Sequence, residues 1–173
     1  MKKISITLAL LISVVFVSYA KDDKTNYELM KNVSILNYTV DYSSFKIAKI
    51  KATDYVSMKL NMDIEKFISV ATNILIENAN ESLDKSSMSI TNTELSDVDI
   101  KVMFLSADKD GENTILCKLV YKPTDTLTSS FEVNSNGGDD DNFQEEFMKS
   151  LAKTGKKLGK QIAKIKAASN STK

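Results

Sequence analysis

The sequence predicts an α+β domain: an antiparallel-rich sheet of about four strands with two helices packed on one face, in the order β-α-β-β-β-α. Three observations predict it. Apolar and polar residues alternate in four separate stretches between Val33 and Val133, the period of half-buried strands. Two longer stretches, one after Asp63 and one after the Asp139–Asn142 region, repeat their apolar residues at helical spacing. Between the strands stand turn residues: Asp110-Gly111, Pro123 and Asn136-Gly137-Gly138.

Taken in order, Leu36, Tyr38, Val40 and Tyr42 alternate with Asn37, Thr39 and Asp41 as the first strand. Phe45, Ile47 and Ile50 either extend it or form a connecting loop that tucks Phe45 into the core. Thr53 and Asp54 offer caps for a short helical turn, and Asp63 offers another. After Asp63, the residues Ile64, Phe67, Ile68, Ala71, Ile74, Leu75, Ala79 and Leu83 mark one face of a long helix. Val98, Ile100, Val102 and Phe104 then alternate in a second strand, and Ile115, Cys117, Leu119 and Tyr121 in a third. Asp108-Lys109-Asp110-Gly111-Glu112 joins them as a hairpin turn that needs positive φ. Leu127, Ser129, Phe131 and Val133 form the fourth strand. The last helix starts between Asp139 and Asn142 and runs to about Lys166, burying Phe143, Phe147, Leu151, Leu158, Ile162 and Ile165. Acids at its start and lysines toward its end complement the helix dipole.

Residues 1–20 precede this domain with a different pattern. Lys2 and Lys3 lead an apolar run from Ile4 to Val17, closed by Ser18-Tyr19-Ala20, the layout of a secretory signal peptide cleaved after Ala20. The run is short for a membrane span, which takes about 20 residues. Lys21 follows Ala20, so the position where a lipidated cysteine would stand is filled by lysine. The expected organisation is a cleaved leader (1–20), a flexible segment (21–32), a single domain (33–166) and a frayed tail (167–173). A periplasmic or secreted location follows.

Cleavage leaves 153 residues with 21 basic against 23 acidic side chains, a net charge of −2. A chain of that length forms one domain burying roughly 70% of its unfolded surface. Near-neutral charge argues against a global attraction to nucleic acid or to anionic membrane. All 23 basic residues are lysine, and arginine, histidine and tryptophan are absent. The chain therefore has no neutral-pH proton shuttle, no imidazole metal ligand and no guanidinium fork for carboxylate or phosphate. Cys117 is the only cysteine, so no intramolecular disulfide forms, and its place among Ile115, Leu119 and Tyr121 reads as a buried small apolar residue.

Three places carry candidate chemistry. Asp108, Asp110, Glu112 and Asn113 are oxygen-rich like a calcium loop, but the glutamate such a loop needs at its twelfth position is Leu119, and a hairpin turn accounts for every residue. Gly137-Gly138 before a helix could cradle a phosphate, but Asp139, Asp140 and Asp141 would repel it; a turn and helix cap explain the stretch. The last helix carries Lys149, Lys153, Lys156, Lys157, Lys160 and Lys164, a face for an acidic partner or lipid headgroups, and its Gly155 and Gly159 suit close packing on the sheet. No Gly-x-Ser-x-Gly elbow supports the serines as nucleophiles, and Asp97 and Asp99 fall on the solvent face of an alternating strand. No metal or cofactor is expected.

Thr53-Asp54-Tyr55-Val56, the Asp-Gly hairpin, and the passage from Phe131-Glu132-Val133 through Gly137-Gly138 to Gly155-Lys156-Lys157-Leu158-Gly159-Lys160 resemble small secreted proteins of unknown function common in Bacteroidota. The element order is similar to envelope domains of penicillin-binding-protein activators, curli-secretion lipoproteins and the TolB N-terminal domain. That resemblance implies a non-enzymatic protein-binding module with an envelope partner. Two alternatives stand beside it: an enzyme or small-ligand protein with a carboxylate and lysine site, and a peripheral membrane protein using the lysine-rich helix.

Overall fold

The computed structural model describes residues 28–137 and 142–171. The leader, most of the 21–32 segment and Asp139–Asp141 lie outside the described residues. The fold is α+β, as expected, with seven strands and three helices among those residues. In chain order these are β1 (Ile35–Asp41), β2 (Lys46–Ile47), β3 (Ile50–Lys51), α1 (Ala52–Leu60), α2 (Ile64–Leu83), β4 (Ser89–Thr91), β5 (Val98–Ala107), β6 (Asn113–Tyr121), β7 (Thr126–Ser135) and α3 (Phe143–Ser171).

Among the described residues there are three helices where two are expected, and seven strands where about four are expected. The sheet's two longest pairings, β5–β6 and β6–β7, are antiparallel, but the sheet is mixed. β5 is its axis. On one side β5 pairs antiparallel with β6, and β6 with β7. On the other side β1 runs parallel to β5, with Tyr38 opposite Ile100, and also parallel to β4, with Leu36 opposite Ile90. The chain passes through α1 and α2 between β1 and β4, and such a crossover returns a strand in the same direction. Alternation fixes which face is buried but is blind to direction, so the sequence pattern could not reveal this.

Two further elements depart from expectation. Residues 46–51 form a small hairpin, its loop made by Ala48 and Lys49 at φ 48° and 71°. That is the left-handed pair a two-residue turn needs, here without the glycine or asparagine that usually signals it. Ala48 N–H donates to the Ala107 carbonyl at 2.8 Å and pins the hairpin to the end of β5. Thr53 and Asp54 lie inside the first turn of α1 and do not cap it; Lys51 occupies the cap position and makes no side-chain cap bond. Asp63 does cap α2, accepting from the N–H groups of Glu65 and Lys66 at 2.9 and 3.0 Å.

Val98, Ile100, Val102, Phe104, Ile115, Cys117 and Leu119 are all buried on one face of the sheet, beneath α2 and α3. Phe147 of α3 is the hub of this core, its ring 5.9 Å from Phe45, 5.4 Å from Phe67 and 5.5 Å from Phe143. Phe45 is thus in the core, carried there by the chain between β1 and β2. Leu127 falls out of the expected alternation. A bulge between Leu119 and Val120 sets it opposite Val120, and it is exposed.

Gly155 and Gly159 serve a different contact from the one expected. A Cβ on Gly155 would overlap the Leu75 carbonyl oxygen, and one on Gly159 the Ala79 carbonyl oxygen. The two glycines bring α3 onto the backbone of α2, not onto the sheet. α3 also continues to Ser171, past the expected end at Lys166, with Ser169 fully buried. Lys166 Nζ donates to the carbonyls of Met30, Lys31 and Val33 at 2.9, 2.6 and 2.9 Å. Met30 is buried, so the residues just before β1 are docked on the last helix.

Candidate functional site

The β5–β6 turn is built as its sequence dictates. Gly111 adopts φ 80°, Asp108 N–H donates to the Glu112 carbonyl at 2.9 Å, and Asp108 Oδ1 accepts from the Asp110 and Glu112 N–H groups at 3.0 and 2.9 Å. Gly111 lies against the Glu146–Phe147 backbone and Gly137 against the Asp110 carbonyl, each too close for a side chain. The hairpin turn, the end of β7 and the start of α3 therefore converge. Among the described residues no cluster of three or more acids, cysteines or histidines has the arrangement to hold a metal ion.

Asn113 belongs to a different structure altogether. It is buried, donates from Nδ2 to Ser150 Oγ at 2.7 Å, and accepts at Oδ1 from Thr154 Oγ1 at 2.9 Å. Ser150 Oγ donates onward to the Ser135 carbonyl at 3.0 Å. This closed network joins β6, β7 and α3 inside the core, where an unpaired polar group would be costly. Asp99 accepts from Asn37 Nδ2 at 2.9 Å and lies 3.8 Å from Lys122 Nζ, so it is half-buried and not simply a solvent-face residue. Cys117 is buried, and burial pushes its thiol up to about 12 from 9.0. It is a packing residue, protected from thiolate chemistry.

The lysines of α3 fall on one exposed arc. At 100° per residue, Lys149, Lys153, Lys156, Lys157, Lys160 and Lys164 span about 100° of the helix and about 22 Å of its length. Their engagements differ. Lys149 reaches Glu145 at 2.8 Å and the buried Glu146 at 2.9 Å, and those carboxylates raise its pKa above the ordinary lysine value. Lys156 lies 3.4 Å from Glu81 of α2, an exposed pair of small energetic weight. Lys157 Nζ donates to the Asn134 carbonyl of β7 at 2.7 Å. Lys153, Lys160 and Lys164, in the middle of the arc, are exposed and make no ion pair or side-chain hydrogen bond among the described residues.

Two concavities carry no motif that could have announced them. One, of about 250 Å³, runs between β7 and α3 and is lined by Phe131, Glu132, Val133, Asn134, Lys157 and Gln161. The other, of about 440 Å³, lies where Leu29 and Val33 approach Leu95, Asp97 and Tyr121. Leu95 is 92% exposed and Ile35, on the same groove, 42%. No helix among the described residues is long and apolar enough to cross a membrane.

No protein-family model matches the chain, and neither does any curated protein. Some solved structures are loosely similar at low identity. An uncharacterised protein is 16% identical over 76% of this chain and 90% of its own, with a TM-score of 0.45. A DUF330-family protein from Xanthomonas campestris is 12% identical over 77% and 85%, at 0.46. PelC from Paraburkholderia phytofirmans, a dodecamer, is 7% identical over 73% and 89%, at 0.43. At those scores and identities the likenesses carry no function, family or assembly over to this chain.

Proposed function

We propose that this chain is an exported envelope protein of the kind its sequence resembles, a non-enzymatic interaction module that docks an envelope partner on the lysine face of α3. The observation that carries the reading is the row Lys153, Lys160 and Lys164. These are three cations on one rigid helix, exposed and without a counter-ion among the described residues, in a chain whose 23 lysines and 23 acids give no net charge. Fixed like charges on a packed helix steer an oppositely charged partner and set its register. The packing of α3 on the α2 backbone keeps the row straight, because the helix is held along its length by Gly155, Gly159 and Phe147. The leader pattern in residues 1–20 supports export, and the absence of histidine and arginine supports binding over catalysis.

The test is lysine-reactive cross-linking of the tagged full-length precursor in its native cells, followed by mass spectrometry of the envelope fraction. A dominant stoichiometric partner linked through Lys153, Lys160 or Lys164 is expected. Recovery of self-linked or unlinked chain alone contradicts the reading. Salt-sensitive binding of the mature protein to anionic vesicles, with no protein partner recovered, would replace it with a membrane-surface role.

A further inference from the structure

We infer that the partner segment is an extended acidic peptide that adds to the outer edge of β7 as another strand of the sheet. The inference rests on the lysine-face reading and names what that face receives. β7 is ten residues long and, among the described residues, pairs only with β6. An edge strand presents a row of unpaired backbone donors and acceptors, and an incoming extended chain satisfies them. The direction of those groups is fixed by one bond: Lys157 Nζ reaches the Asn134 carbonyl, so that carbonyl faces away from β6. In an antiparallel strand the backbone groups of alternate residues share a side. Glu132 and Ser130 therefore turn their N–H and C=O groups outward as Asn134 does, while Phe131 and Val133 turn theirs to β6.

Beside this edge, α3 supplies a row of charge. Lys157 and Gln161 line the 250 Å³ groove together with Phe131 and Val133, and Lys153 and Lys164 follow on the same arc of the helix. A strand laid on β7 has its backbone at the edge and its side chains alternating toward that groove. Acidic side chains there meet the lysines; basic ones are repelled. The charge also argues against a second copy as the occupant. Two β7 edges joined about a two-fold axis would set two α3 lysine rows beside each other, and β7 itself brings only Glu132 as a counter-charge.

The probe is a labelled decapeptide of alternating glutamate and valine, with an alternating lysine and valine decapeptide as its opposite, titrated by fluorescence anisotropy against the mature protein at low and high salt. The acidic peptide is expected to bind at least about tenfold more tightly than the basic one, with the difference shrinking in salt. Glu132→Pro removes an outward N–H without touching the β6 ladder and should lower acidic-peptide affinity at least about tenfold; Glu132→Gln, which keeps the N–H, should not. Should Glu132→Pro misfold, hydrogen exchange on the wild-type chain decides: the Ser130 and Glu132 amides gain protection on peptide addition. Selective acidic binding with those amides unprotected overturns strand addition and leaves the lysine-face reading standing. No preference for the acidic peptide overturns both. A concentration-dependent dimer abolished by Glu132→Pro overturns the inference by making a second copy the occupant.

Discussion

Gly159 of α3 sits against the carbonyl oxygen of Ala79 in α2, so closely that a methyl group on the glycine would overlap that oxygen. One turn earlier, Gly155 meets the Leu75 carbonyl in the same way. The two long helices are thereby held backbone to backbone, which presents the opposite side of α3 to solvent as a rigid arc. Gly159→Ala would gain about 1 kcal/mol in helix propensity if α3 were isolated. In this fold the overlap dominates, and a net loss of about 1–3 kcal/mol is expected, read as a lower midpoint in urea unfolding. An unchanged or raised midpoint would show that the helices can separate without cost.

The Cys117 thiol gives a pH signature. Its pKa is raised from 9.0 to about 12 by burial. Between those values the folded chain holds a proton that the unfolded chain has released. The stability associated with the thiol is therefore complete below pH 9 and falls as pH rises toward 12, by about 1.4 kcal/mol per pH unit. Cys117→Val removes that dependence, so the stability difference between wild type and variant should shift in favour of the variant across that window. At pH 8 a thiol reagent should modify the native protein only as fast as the core opens, and the urea-unfolded chain at once.

Lys166 ties the chain before β1 to α3 through three carbonyls. Burial draws its ammonium below the ordinary lysine value. Lys166→Met keeps the length of the side chain and removes every donor. A loss of about 1–3 kcal/mol is expected, together with faster hydrogen exchange at Val33 and Lys31 and little change in β6. Equal exchange throughout would mean that the bonds do not dock the segment.

The 46–51 hairpin holds Ala48 and Lys49 in left-handed backbone. That conformation costs a residue with a side chain about 1–2 kcal/mol, and glycine returns part of the saving as entropy of the unfolded chain. Lys49→Gly should therefore stabilise the protein by about 0.5–1 kcal/mol, measured by thermal unfolding. A destabilised variant would show that the Lys49 side chain contributes more than its left-handed backbone costs.

What the sequence made legible followed from periodicity and local chemistry. The apolar stripe from Ile64 to Leu83, the Asp63 cap, the alternating faces of β5 and β6, the Asp110-Gly111 turn and the burial of Cys117 all follow from a residue and its near neighbours. The parallel pairing of β1 was hidden because alternation carries no direction. β4 is three residues long, too short for any period, and its edge is satisfied by a residue of another element: Asn80 of α2 donates to the Ile90 carbonyl at 2.9 Å and accepts its N–H at 2.7 Å. The β2–β3 turn lacked its usual residues. Asn113 looked like part of an oxygen-rich loop because its partners, Ser150 and Thr154, stand 37 and 41 positions away. Of the site, the lysines were visible as a helical stripe. The adjoining β7 edge was not, since being an edge is a property of the whole sheet.

Site-specific photo-cross-linking from position 160, in native cells carrying the tagged wild-type precursor or its Lys153→Glu/Lys164→Glu variant, tests the lysine face most directly. A single dominant envelope partner captured by the wild type and lost from the charge-reversed protein, with the variant still folded by circular dichroism, is the result predicted. The same partners captured equally by both proteins would contradict the account.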